Sequence, residues 1–162
     1  PMTIKNECKI KEEHIQDMRS AIEHRATWFY LLLDEAKKKG YEWEDFARKA
    51  IFRCGCFHGN NRFQKTDSLK NFAEQFANKL YSKIFEMEIA ECNEENFIVK
   101  FHHCPLVAGW LKQTENEEEI SKLCDIAMDG DRGIVSAFGF KMELHETIAS
   151  GGDCCKIEIK KK

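Results

Sequence analysis

Proline is scarce in this chain, with two in 162 residues, so long helices are not interrupted and a proline-rich linker is excluded. No apolar run approaches the ~18 residues of a membrane span, and Trp28 to Leu33 is far too short. Charge of one sign is lacking too. With a net charge of −3 and 33% charged residues, neither nucleic acid nor an anionic membrane is expected as the main partner. No basic-then-apolar leader opens the chain, and Pro1 before Met2 reads as a cloning remnant.

Cysteine is not lacking. There are eight, but no Cys-x-x-Cys pair: Cys54 and Cys56 flank a single residue and Cys154 and Cys155 are adjacent. That is neither a zinc signature nor the framework of a small secreted scaffold, so reduced thiols in a cytoplasmic setting are expected. The length suits one domain, residues 2–162.

The first half, residues 2–83, reads as mainly helical. Glu12 to Lys39 carries Ile15, Met18, Ile22, Ala26, Phe29 and Leu33 at helical spacing, closed by Lys37 to Lys39 and Gly40. Arg25 flanks that stripe, where it snorkels to solvent or reaches a substrate carboxylate. A shorter helix around Trp43 to Ile51 leads into Arg53 to Arg62. The Gly and Asn content there reads as a loop, and Cys54, Cys56 and His58 suggest a flap or, less well, a metal site. Thr66 or Asp67 caps a third helix running to Ile84.

Residues 84–162 read as hairpin, helices, hairpin. Phe85 to Ala90 alternates, Asn93 to Asn96 turns, and Phe97, Val99 and Phe101 share the face of the next strand with His103. Pro105 then starts a helix, leaving Cys104 at a strand-to-helix junction beside helix N-terminal amides. Thr114 to Glu117 forms a capping box for a helix burying Ile120, Leu123, Cys124 and Ala127, and Asp131 falls in the same stripe. An acid there has to be paired, protonated or solvated, unless Gly130 and Gly133 bend the helix and turn it to water. Two strands follow, with Phe140, Met142, Leu144 and Glu146 inward on one, and Cys155, Ile157 and Ile159 on the other. The expected fold is α+β, with the N-terminal helices and a central helix pair on one face of an antiparallel sheet of about four strands.

His103, Glu146 and Cys155 thus sit near strand ends on the buried face, with Cys104, Cys124 and Asp131 on neighbouring elements. Thiols, an imidazole and carboxylates at one end of a sheet suit nucleophilic attack on an electrophilic carbon. The Gly151-Gly152 turn offers amides for an anion, and Arg132 beside Asp131 is a salt-bridge partner or an anion ligand. The alternatives are a zinc-binding domain using the same cysteines and a non-catalytic binding module.

Cys104-Pro105-Leu106-Val107, then Cys124-Asp125-Ile126 through Gly130-Asp131-Arg132-Gly133 to Phe138-Gly139, then Thr147 with Gly152-Asp153-Cys154-Cys155, resembles the L-2-amino-thiazoline-4-carboxylic acid hydrolase family. The late Gly-Asp-x-Cys also looks, more weakly, like the vinyl-reductase-type (4VR) small-molecule-binding domain. The first resemblance implies hydrolytic opening of a small cyclic amidine, with no resident cofactor expected and a small molecule as partner. It points to Cys104, Cys124, Asp125, Asp131, Thr147, Asp153 and Cys155; the strand and helix phases disfavour Asp125. The expected roles are Cys104 as nucleophile or water-orienting group, His103 as base, and Asp131 or Asp153 as acid. Cys155, Thr147, Arg132, Arg25, Cys124 and Glu146 are expected around the substrate.

Overall fold

The computed structural model describes residues 3–162. Pro1 and Met2, and with them the cloning-remnant reading, lie outside the described residues. Six helices and four strands follow in the order α1 (Glu13–Lys38), α2 (Glu44–Asn61), α3 (Leu69–Phe76), α4 (Lys79–Ile84), β1 (Met87–Cys92), β2 (Asn96–Phe101), α5 (Pro105–Leu111), α6 (Glu117–Ser136), β3 (Phe140–Glu146) and β4 (Cys155–Lys161), with a 3-10 turn at Ile148–Ser150.

The sheet is antiparallel throughout, in the order β1-β2-β4-β3. Its inner face carries Phe97, Val99, Phe101, Ile157 and Ile159, all buried under helices. The outer face presents Lys100, Lys156, Glu158 and Lys141. This is the expected α+β arrangement, and the period-two phase of each central strand predicts which residues enter the core. At the edge the rule weakens: Ile89 on β1 shares the inward phase yet is half exposed, because the helices do not reach that far.

Four local expectations are corrected. Arg53 to Asn61 is the second half of α2, not a loop, and Arg62 is its C-cap. Its glycines serve packing: a Cβ on Gly55 would fall 1.9 Å from the Gly130 carbonyl oxygen, and one on Gly133 would fall 2.3 Å from that of Phe52. Gly55, Gly59 and Gly133 therefore let α2 and α6 approach closely, and α6 runs on past Gly130 and Gly133. The third helix is two, because Asn78 accepts the Tyr81 amide at 3.0 Å and caps α4 as a separate element. Asn116, not Thr114, caps α6.

The fourth correction bears on the site. A β-bulge between Leu144 and Glu146 shifts the register, so Glu146 pairs with Lys156 and is exposed rather than inward.

The arm before α1 is tied down residue by residue. Glu117 accepts the amides of Thr3 and Ile4, and Glu86 accepts those of Lys9 and Ile10. Glu86 sits at φ +48 and also pairs with buried Arg19 at 3.1 Å. Arg19 in turn donates to the carbonyls of Ile84, Ile10 and Lys83, so the buried cation is fully partnered.

Candidate functional site

Cys104 is the residue immediately before α5, with Pro105 at the first helical position, and its backbone is extended. Asn6 of the arm reads both of its peptide groups, accepting the Cys104 amide at 2.9 Å and donating to its carbonyl at 2.8 Å. The sulfur is buried, and that burial pushes the thiol up to about 12, with the nearby Cys155 adding to the rise. The Val107 and Leu106 amides and the charge of Arg25 oppose it without winning.

Cys155 has the opposite balance. It opens β4 opposite Phe101, and its sulfur accepts the Ile148 amide at 3.3 Å. The Cys124 thiol beside it, from α6, and that amide together hold Cys155 below the ordinary thiol value. Burial and the carboxylates of Asp131 and Glu146 act against them. Cys124 moves the other way, well above its ordinary value, first through Cys155 and then through burial. Of the three neighbouring thiols, Cys155 is the one whose contacts favour ionisation over the ordinary thiol.

Asp131 reaches the same place from α6. Half-buried, it is pushed up to about 6 by desolvation, against the through-space pull of Arg132 and Arg25. A carboxyl so poised is protonated part of the time near neutrality and can give or take a proton. Arg25, exposed on α1, also acts on Cys104 and on His58. The His58 Nδ1 is buried without a hydrogen-bond partner. Burial first, then Arg62 and Arg25, keep that imidazole below its ordinary value and hence neutral at pH 7. Reading Arg53 to Arg62 as a loop concealed this; the helical spacing of Gly55 and Gly59 against Gly130 and Gly133 is the signal that would have placed His58 on a helix.

The structure thus brings together Cys104, Cys124, Cys155, Asp131 and Arg25. Most of the other expected members have hydrogen-bond partners of their own. The His103 Nδ1 meets the Glu7 carbonyl at 3.1 Å, and burial followed by the charge of Arg19 lowers its pKa, so its ring belongs with Arg19 and Glu86. Asp153 is exposed and lines a cavity of about 480 Å³ with Lys5, Glu7, Lys9, Glu86 and His102. Arg132 is the salt-bridge partner of the two expected roles: it donates to Asp129 at 2.7 Å and Asp125 at 3.1 Å, and Arg48 joins them. Asp125, disfavoured by its phase, belongs to that cluster. Thr147 caps the 3-10 turn through the Ser150 amide, and Glu146 accepts the Cys154 thiol at 3.2 Å. The Gly151 and Gly152 amides are already donated to Ile148 and Thr147, so they do not form an anion nest.

Cys54 and Cys56 do not make a knuckle either. Cys54 is exposed, while Cys56 is half-buried with its sulfur 3.8 Å from the Ser136 hydroxyl. Among the described residues, the donor atoms that converge within 4.8 Å of one another are those of Glu143, His145 and Glu158, on the outer face of the sheet, rather than the thiols. No helix among the described residues is long and apolar enough to cross a membrane.

Comparison with known proteins agrees with this architecture. A solved structure of a trafficking protein particle complex subunit 3 from Naegleria fowleri, covalently bound to palmitic acid, is similar with a TM-score of 0.60. The match covers 88% of this chain and 95% of that one at 16% identity, a likeness of fold alone. No curated protein matches the sequence. The model of the L-2-amino-thiazoline-4-carboxylic acid hydrolase family matches residues 19–159. Neither similarity supports the weaker likeness to the vinyl-reductase-type domain. The family match runs from α1 to β4 and takes in Arg25, His58, all three clustered thiols and Asp131, so the chain belongs to the L-2-amino-thiazoline-4-carboxylic acid hydrolase family.

Proposed function

We propose that this protein is a hydrolase opening a small cyclic C–N substrate, a thiazoline carboxylate or related cyclic amidine, by attack of the Cys155 thiolate. The observation that carries the reading is the Cys155 sulfur itself, held by the Ile148 amide at 3.3 Å beside the Cys124 thiol, with a protonatable Asp131 in reach of its charge. In this scheme the sulfur bonds to the amidine carbon. The C=N electron pair moves to the ring nitrogen, which takes a proton from Asp131. A ring bond at that carbon then breaks, and its leaving atom takes a proton from solvent. Water attacks the same carbon next and Cys155 departs as thiolate; of the two water protons, one returns to Asp131 and the other to solvent. Water and ring are consumed, and the enzyme ends as it began.

Arg25 suits the substrate carboxylate, and His58, neutral with an unpartnered Nδ1, suits a hydrogen bond to the same group or relay of the second proton. Cys104 then packs beside the attacking sulfur and is not the attacking group, since burial opposes its ionisation. The scheme requires free thiols, as all eight are here, which favours the reducing setting. Incubating the protein with 2-amino-thiazoline-4-carboxylate and following ring opening tests it directly. Turnover that persists in Cys155→Ser would remove Cys155 from the mechanism.

A second reading is a non-catalytic ligand-binding module. The burial of Cys104, Cys124 and Cys155, each less than one-tenth exposed, favours it, as does the lipid bound to the structurally similar trafficking subunit. Ligand capture with no product from any cyclic amidine would select this reading.

A further inference from the structure

We propose that the outer face of the sheet carries a second site, a surface position for a first-row divalent cation of the zinc type, formed by Glu143, His145 and Glu158. Glu143 and Glu158 stand directly opposite each other across β3 and β4. Like charges in that relation destabilise a ladder unless a cation lies between them. His145 is the group placed there: its Nε2 is 3.0 Å from one Glu158 oxygen and 3.9 Å from a Glu143 oxygen. One donor atom from each of the three residues lies within 4.8 Å of the others, the spread that a single ion can span.

The position is built rather than incidental. The β-bulge between Leu144 and Glu146 fixes His145 at the point where the ladder shifts, and bulges commonly re-aim a side chain near a site. The Glu158 carboxylate is 14% exposed although it sits on the open face of the sheet. Its second oxygen lies 3.7 Å from the Lys160 ammonium. That contact is too long for a hydrogen bond and is the one competing cation in the cluster.

The donor chemistry selects the ion. Two carboxylates and a neutral imidazole balance a double positive charge. An imidazole nitrogen favours zinc, cobalt or nickel over magnesium or calcium, which prefer oxygen alone. The metal takes the Nε2 lone pair of the Nδ1–H tautomer, so the ring proton moves to Nδ1 through solvent and none is released. No oxidant or co-reactant is needed. Because β3 is the outer strand of the sheet, such an ion ties the edge to β4, on the face opposite Cys155.

Titration with Co2+ followed in amide ¹H–¹⁵N spectra tests this. The expected result is paramagnetic broadening centred on residues 143–145 and 157–159, reversed by Zn2+ but not by Mg2+. His145→Ala and, separately, Glu158→Gln should each weaken Co2+ affinity by more than the ~10-fold typical of losing an outer-shell partner, with the remaining amide shifts unchanged. Broadening centred instead on Cys54, Cys56 or Cys92, broadening equal in His145→Ala, or none at all would overturn the proposal. All three readouts stand whether or not the protein opens a cyclic amidine.

Discussion

Three sulfurs adjoin, yet their surroundings drive them apart. Cys155 gains the Ile148 amide and the Cys124 thiol, while burial dominates at Cys104. Thus Cys155→Ser should lower kcat by ~10³-fold or more, as loss of an attacking nucleophile does, whereas Cys104→Ala should leave kcat within about tenfold. Steady-state kinetics on both variants checks this. Asp131 makes a different prediction. Its folded pKa of about 6 lies above its ordinary 3.8, so the folded state holds more protons between those values. Stability should therefore fall as pH rises from about 4 to 6 and level off above. Asp131→Asn should then gain about 1–2 kcal/mol at pH 7, discounted for partial exposure, and nothing below about pH 4. Urea unfolding at both pH values measures it, and turnover should drop in the same variant. At this scale much was legible: period two exposed Cys155 and period 3.6 exposed Cys124 and Asp131 as reactive groups in apolar positions. Glu146 was not, because one bulge reverses the phase after Leu144. Nor was the direction of the His103 ring, which depends on an arm nearly a hundred residues away in sequence, meeting the Glu7 carbonyl.

Helix contacts decide where the site residues stand. α2 and α6 meet through glycine, and α6 carries Cys124 and Asp131 while α2 carries His58. A methyl group at Gly55 would collide with the backbone of Gly130, which no side-chain rotation relieves. Gly55→Ala should cost about 3 kcal/mol, at the upper end for overpacking, and Gly40→Ala, with open space but φ +74, about 1 kcal/mol. Thermal unfolding of the two variants compares them. The sequence marks Gly55 and Gly59 at helical spacing, but Gly and Asn content argues for a loop, and only the partner helix makes glycine favourable there. The split between α3 and α4 was hidden for a related reason: Asn78 is an ordinary surface residue until its side chain takes the Tyr81 amide.

Over the whole molecule, helices cover one sheet face and the N-terminal arm closes the end where β2 passes into α5. Buried Arg19 joins arm, α1 and the α4–β1 junction in one network. Arg19→Leu removes the buried charge partner of Glu86, leaving it the Lys9 and Ile10 amides, and should cost about 3 kcal/mol, the lower end for leaving half a buried pair, measurable by denaturant unfolding. The layer architecture was legible because every strand phase points at one face; the arm was not, since its contacts are backbone amides meeting distant carboxylates, without periodicity. Family membership and the trafficking-subunit likeness agree on this frame, while the proposed chemistry rests on the thiols within it.

Trapping the covalent intermediate tests that chemistry most directly. The protein is mixed with 2-amino-thiazoline-4-carboxylate, quenched in acid within the first turnovers, and digested for peptide mass spectrometry. The account predicts an adduct of the substrate carbon skeleton on Cys155, absent from Cys155→Ser and undiminished in Cys104→Ala. Ring opening with Cys155 unmodified throughout, or an adduct on Cys104 instead, would contradict it.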